Sequence, residues 1–166
     1  MEKYNLIYVD PPWHLEEFRV KKLTHVPVES LSMENAMIML WSSLEELPKC
    51  LAQLEAWGFD YVQLWTWLRK DEKEDYWFRF HGEPLVVGVK GLVRIDYLLR
   101  HSVFEYSGNE VGYHPQEFKD LAYEAAIRAF SPPVMLDVFG EYWHLRDPEY
   151  LRDEWNWWEG GTILLD

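Results

Sequence analysis

A single cysteine, Cys50, in 166 residues rules out an internal disulfide and suits a reducing compartment. No stretch approaches the roughly 18 uninterrupted apolar residues that a membrane span needs. Positive charge is scarce: 16 Lys and Arg stand against 29 Asp and Glu, a net charge of −13. Duplex nucleic acid rewards broadly basic surfaces through counterion release, so any such partner must be met by a local cluster of cations. No Gly-x-Gly-x-x-Gly occurs. The six histidines, His14, His25, His81, His101, His114 and His144, show neither His-x-x-x-His nor Cys-His spacing, so no structural zinc is expected. The opening Met1-Glu2-Lys3-Tyr4-Asn5 lacks the features of a secretory signal, and an intracellular, cytoplasmic or nucleoid-associated protein is expected.

What is present fits one compact domain over residues 1–166. The chain is 48% hydrophobic with ten tryptophans, enough apolar surface for a real core. Periodicity predicts strands over Tyr4 to Asp10, Ala36 to Trp41, Tyr61 to Trp67, Pro84 to Lys90 and Val134 to Phe139, with a weaker one over Val103 to Tyr106. A helix is predicted from Leu44 to Trp57, with Pro48 in its first turns and Gly58 ending it. Another starts near Pro115 and presents Phe118, Leu121, Ala125 and Ala129 on one face before Pro132-Pro133. The βα alternation predicts a mostly parallel sheet with helices on both faces. Cys50 is expected to fill the buried side of the first helix.

The most informative stretch is Tyr8-Val9-Asp10-Pro11-Pro12-Trp13, a strand running into an acceptor-rich loop. The exocyclic amine of adenine is a poor nucleophile because its lone pair is delocalised into the ring. Hydrogen-bond acceptors placed on its N–H groups would make that pair available. Asp10 offers a carboxylate; Pro11 and Pro12 offer carbonyls and no backbone N–H. Trp13 offers a face for base stacking, worth roughly 1–3 kcal/mol. The location also fits, since open α/β sheets bind ligands at the carboxyl ends of their strands. A rigid turn with a core-filling Trp is the structural alternative.

Further blocks follow in order: Met39-Leu40-Trp41, Trp57-Gly58-Phe59, Trp65-Thr66-Trp67-Leu68-Arg69-Lys70, Tyr76-Trp77-Phe78-Arg79, Glu83, Val87-Gly88-Val89-Lys90-Gly91 and Leu136-Asp137-Val138-Phe139-Gly140. Together with the Asp-Pro-Pro-Trp loop they resemble the adenine-N(6) methyltransferase family named after the seventy-kilodalton MT-A subunit, over nearly the whole chain. The resemblance implies a Rossmann-like, S-adenosylmethionine-dependent methyltransferase with permuted motif order. It implies catalytic roles for Asp10, Pro11, Pro12 and Trp13, and a cofactor pocket drawing on Asp10, His114, Asp137, Phe139, Gly140, Glu141, His144 and Glu159.

Departures from the family pattern cluster at that pocket. Glu141 stands where relatives carry Arg, and His114 where they carry a Lys that reaches the cofactor carboxylate, so an imidazole or another cation must substitute. Trp155-Asn156-Trp157-Trp158-Glu159 replaces a Trp-Gly-Asn-Glu-like segment, with Glu159 a candidate for a ribose hydroxyl, and Phe80 replaces an Asn.

For the substrate, Trp77 and Arg79, with Phe78, are candidates for a second wall of the base pocket and Glu83 for ordering it; aromatic core packing with a surface ion pair is the alternative. Arg19, Lys21 and Lys22, with His25, are candidate phosphate contacts, or else a solvated loop. The implied partner is an adenine-containing nucleic acid, single-stranded or with the base flipped out. Trp155, Trp157 and Trp158 are candidates for a homo- or heterodimer surface. Two classes stay open: an active DNA or RNA adenine methyltransferase, and a catalytically inactive scaffold or regulatory subunit keeping the same pocket.

Overall fold

The computed structural model describes residues 1–73, 80–95, 101–106, 114–147, 150 and 153–161. Its frame is a seven-stranded sheet in the order β5-β3-β4-β2-β1-β6-β7. The strands are β1 (Tyr4–Val9), β2 (Ser32–Trp41), β3 (Asp60–Lys73), β4 (Phe80–Lys90), β5 (Val103–Phe104), β6 (Met135–Asp137) and β7 (Trp155–Trp157). β1 pairs in parallel with β2 and β6, β6 with β7, and β3 with β5. β4 pairs antiparallel with both β2 and β3, so among these strands it alone runs against the other six. This is the expected Rossmann-like α/β architecture with a mostly parallel sheet.

β1 lies near the middle because its sequence suits burial on both sides. All six residues are buried, as a strand covered on both faces requires. Ile7 and Val9 enter one core, with α1 (Val20–Leu23), α2 (Val28–Leu31), α3 (Leu47–Ala56) and α5 (Gly140–His144). Leu6 and Tyr8 enter the other, under α4 (Glu117–Ala129). Each fully buried apolar side chain here contributes on the order of 1.5–3 kcal/mol. Cys50 fills the buried side of α3, where burial pushes its thiol up to about 11.

Element boundaries differ from the sequence expectation where local chemistry intervenes. β1 stops at Val9, because Asp10 turns its carbonyl to the indole N–H of Trp143. α3 starts at Leu47 rather than Leu44, with Pro48 in its first turn, and ends as Gly58 takes φ +86. α4 starts two residues after Pro115, and the sixth strand is trimmed to Met135–Asp137. The β3–β4 pair is longer than expected, reaching Lys73 and starting again at Phe80.

Candidate active site at the carboxyl ends of β1, β2 and β6

Parallel pairing brings three strand ends together. Tyr8 is opposite Met39 on one side and Asp137 on the other, so Asp10, Trp41 and Asp137 all fall on one rim of the sheet. The reversed β4 adds Glu83 to that rim, because Leu85 is opposite Trp41 and Glu83 is opposite Trp67.

Asp10 is 1% exposed and is held at three points. Its Oδ1 receives the Nδ1–H of His114 at 2.6 Å, its Oδ2 the hydroxyl of Tyr150 at 3.3 Å, and its backbone carbonyl the Nε1–H of Trp143 at 2.8 Å. The other ring nitrogen of His114, Nε2, lies 3.3 Å from Glu83 Oε2. The imidazole stacks flat on Trp41, with centroids 3.8 Å apart and planes 8° apart, and meets Trp67 edge-on. Trp41 is itself fixed by its N–H to the Tyr8 hydroxyl at 2.6 Å. Burial alone would lower the His114 pKa, but the flanking carboxylates of Asp10 and Glu83 overcome it and lift the value to about 9. The ring is therefore an imidazolium at neutral pH, donating to both carboxylates.

A second buried charge joins this cluster from α4. Lys119, 1% exposed, places its Nζ 2.6 Å from Asp137 Oδ2 and 3.3 Å from the Tyr150 carbonyl. The ammonium also lies 4.1 Å above the Tyr150 ring and 5.3 Å from that of Trp155. Burial raises the Asp137 pKa, and Lys119 opposes that shift. Sequence reasoning missed both Lys119 and Tyr150. A signal for Lys119 existed: it falls on the apolar stripe of α4 with Ala122 and Ala126, three and seven residues on, where an unpaired Lys is rare. Tyr150 carried none.

The loop is compact. Pro11 and Pro12 are buried, and their carbonyls accept the backbone N–H groups of Trp13 (2.8 Å) and Leu15 (3.0 Å). Trp13 donates its indole N–H to the Trp41 carbonyl at 2.8 Å and packs edge-to-face on Phe18. It is thus half-buried against the core rather than standing free. His14 is exposed and reaches the Tyr142 hydroxyl at 3.3 Å. Arg19 and Lys21 are exposed on and beside α1, and Lys22 is half-buried. Trp77, Phe78 and Arg79 lie outside the described residues.

The expected cofactor residues are more dispersed. Phe139 is fully buried and packs edge-to-face on Phe18, while Gly140 opens α5, with Glu141 in its first turn and His144 in its last. Glu159 is exposed beyond β7 and borders an open groove of about 670 Å³ with Leu136, Asn156, Trp157, Trp158 and Gly160, which runs on to Glu2, Tyr4 and Leu31 at the amino ends of β1 and β2. Neither Asp10, Asp137 nor His114 lines that groove. Gly161 passes the chain just beyond β6 so closely that any Cβ would strike the Val138 carbonyl oxygen. His114 is turned to Asp10 and Glu83, so it is already engaged where the resemblance assigned it to the cofactor. Lys119, the other buried cation among the described residues, is engaged by Asp137.

Does this set suit S-adenosylmethionine? The ligand carries a sulfonium, an ammonium, a carboxylate, a ribose diol and an adenine. The acidic rim suits the two cations, and Glu159 beside Trp157 and Trp158 suits a diol and a flat base. The Nδ1 of His144 is buried without a hydrogen-bond partner among the described residues, as expected for a group awaiting a ligand. The residues fit.

A doubly wound α/β protein with its polar residues gathered at the strand carboxyl ends is the class these features define. A scan of family models matches MT-A70 over residues 4–105, well over half the chain. The chain belongs to the MT-A70 family of S-adenosylmethionine-dependent methyltransferases. The match includes Asp10, Trp41 and Glu83 and stops short of His114, Lys119 and Asp137. A search of curated proteins found no match. Among the described residues no helix is long and apolar enough to cross a membrane, and no group of three or more His, Cys, Asp or Glu side chains is placed to hold a metal ion.

Proposed function

We propose that this chain transfers a methyl group from S-adenosylmethionine to the 6-amino group of adenine in DNA or RNA, inside the cell, on single-stranded or flipped-out bases. The observation that carries the reading is the Asp10 carboxyl group, buried at the end of β1 and held by hydrogen bonds from His114 and Tyr150. A carboxylate has about four acceptor sites, so two hydrogen bonds leave capacity for the amine. Bound cofactor would supply an electrophilic methyl. The chain's own task is to draw hydrogen-bond density onto the amine through Asp10, aided by the second lone pairs of the Pro11 and Pro12 carbonyls. No strong base is required, because the methylated amine becomes acidic and sheds its proton afterwards. Glu159, His144, Gly140 and Glu141 are the residues proposed to hold the cofactor, with the Asp137–Lys119 pair behind them. Arg19, Lys21 and Lys22 are proposed to meet phosphates.

One observation favours a non-catalytic scaffold as the second reading: both Asp10 oxygens already have partners and the group is almost fully buried. Calorimetric titration with S-adenosylmethionine, followed by labelled-methyl transfer to adenine-containing single strands, separates the two. Micromolar binding with transfer supports the enzyme. A folded protein that does not bind at millimolar ligand supports the scaffold.

A further inference from the structure

We propose that His114 is a positioning residue for the methyl-acceptor site: its imidazolium, laid on Trp41 and bridging Asp10 to Glu83, fixes the rotamer of the carboxylate that takes the amine. The inference rests on the adenine reading of Asp10 and adds a requirement for a charged ring. Three interactions define it. Nδ1 is 2.6 Å from Asp10 Oδ1, Nε2 is 3.3 Å from Glu83 Oε2, and the 8° stack on Trp41 prevents the ring from turning about its own axis.

A neutral imidazole has one N–H and can serve only one of these carboxylates as donor. The other would then set an oxygen lone pair against a nitrogen lone pair, out of reach of water at Asp10, which is 1% exposed, and only partly in reach of it at Glu83, whose side chain is 21% exposed. Deprotonation must therefore loosen either Asp10 or Glu83. Both carboxylates arrive from different strands, so the ring also ties the end of β1 to β4. The ionisable groups facing it among the described residues are Asp10 and Glu83, with the Tyr150 hydroxyl on the far oxygen of Asp10. His14 lies near enough to feel its charge, though the His14 pKa is lowered first by burial and then by Arg146. Trp41 and Trp67 are neutral walls. A lysine could supply charge here, but neither two opposed N–H groups nor a flat face to stack.

Two measurements test this. The first is the pH profile of methyl transfer at saturating cofactor for wild type, His114→Gln and His114→Lys. Wild type should lose rate on the alkaline side as the ring deprotonates, near the value of about 9 that its partners impose. His114→Gln should be slower by up to about 100-fold, as misplacement of a reacting group can be. It should show no such limb and keep its cofactor affinity. His114→Lys should recover part of the rate and move the limb upward. The second is an NMR titration of the His114 ring, identified by its loss in His114→Gln. It should titrate well above the ordinary imidazole value in wild type and fall back in Asp10→Asn and Glu83→Gln. An unchanged limb in His114→Gln, or a ring titrating at or below the ordinary value in the folded wild type, overturns the proposal. If the protein methylates no adenine at all, the proposed function falls, and the ring titration still decides the role of His114.

Discussion

The two ends of the site are built differently. At the proposed acceptor end, Asp10, His114, Glu83 and Tyr150 interlock over distances of 2.6–3.3 Å, and the rings of Trp41 and Trp67 flank His114. At the proposed cofactor end, Glu159 borders an open groove that runs on to Tyr4 and Leu31, His144 keeps a buried nitrogen without a partner among the described residues, and Phe139 serves the core. The difference matches the proposed tasks. A carboxylate that must pull on a reluctant amine acts through preorganisation, and misplacement by 1 Å can cost about 100-fold in rate. A large cofactor with several charged and polar groups spreads its binding over many interactions, so no single one must be exact in advance. Lys119 and Asp137 adjoin the Asp10 cluster: the Lys119 ammonium holds both Asp137 and the Tyr150 carbonyl, while the Tyr150 hydroxyl reaches Asp10.

The largest expected effect tests that junction. Lys119→Met leaves the Asp137 carboxylate buried and unpaired and should cost about 3–5 kcal/mol of stability, read from denaturant unfolding. Lys119→Met with Asp137→Asn should recover much of the deficit, because the uncompensated charge is gone. If the single variant unfolds like wild type, the pair does not bear on the fold.

Asp10→Asn comes next and separates the ends most cleanly. It turns an anionic acceptor into a group that is half donor. Transfer should slow by about 10²–10³-fold, as when one preorganised electrostatic group is removed, with cofactor affinity little changed in calorimetry. An equal drop in both would mean that Asp10 belongs to the cofactor end.

The pH dependence of stability singles out the acceptor end. The His114 pKa is raised from 6.5 to about 9 on folding, so its contribution is complete below 6.5 and is lost as pH rises through about 9. The melting temperature of wild type should therefore fall over this window more than that of His114→Gln. Parallel curves would show that the ring is not charged in the folded protein.

Two smaller effects sharpen the contrast. Tyr150→Phe removes one neutral hydroxyl from a buried carboxylate and should cost about 0.5–1.5 kcal/mol of stability, with a parallel drop in transfer rate. Replacing Arg19, Lys21 and Lys22 by Gln should weaken nucleic-acid binding evenly across sequences. On a single strand the salt slope should become shallower by about 0.7 for each phosphate no longer neutralised, measured by fluorescence anisotropy. Unchanged affinity would move the phosphate track elsewhere.

The acceptor loop was legible because its information is local: a strand, a carboxylate, two prolines and an indole in succession. β1, β2, α3 and α4 were legible for a similar reason, since their apolar spacing survives in the fold to within a few residues. His114, Asp10 and Glu83 were each singled out from the sequence as site residues, but their pairing was not, since Asp10 lies 104 positions from His114 and nothing in linear order pairs them. Trp13 shows the same gap. Its type was read from sequence, yet its indole N–H is committed to the Trp41 carbonyl and its ring edge to Phe18.

By itself, then, the sequence determined which chemistry the chain can offer: acceptors without donors after β1, an α/β alternation to hold them, and too few cations for a broad nucleic-acid surface. Only tertiary structure decided which charges meet. β4 had to run against its neighbours to carry Glu83 to the rim, and α4 had to lie on the Tyr8 face to bring Lys119 to Asp137. Buried charges cannot persist alone, so the partner of each is chosen by whatever the packed chain delivers within hydrogen-bond reach.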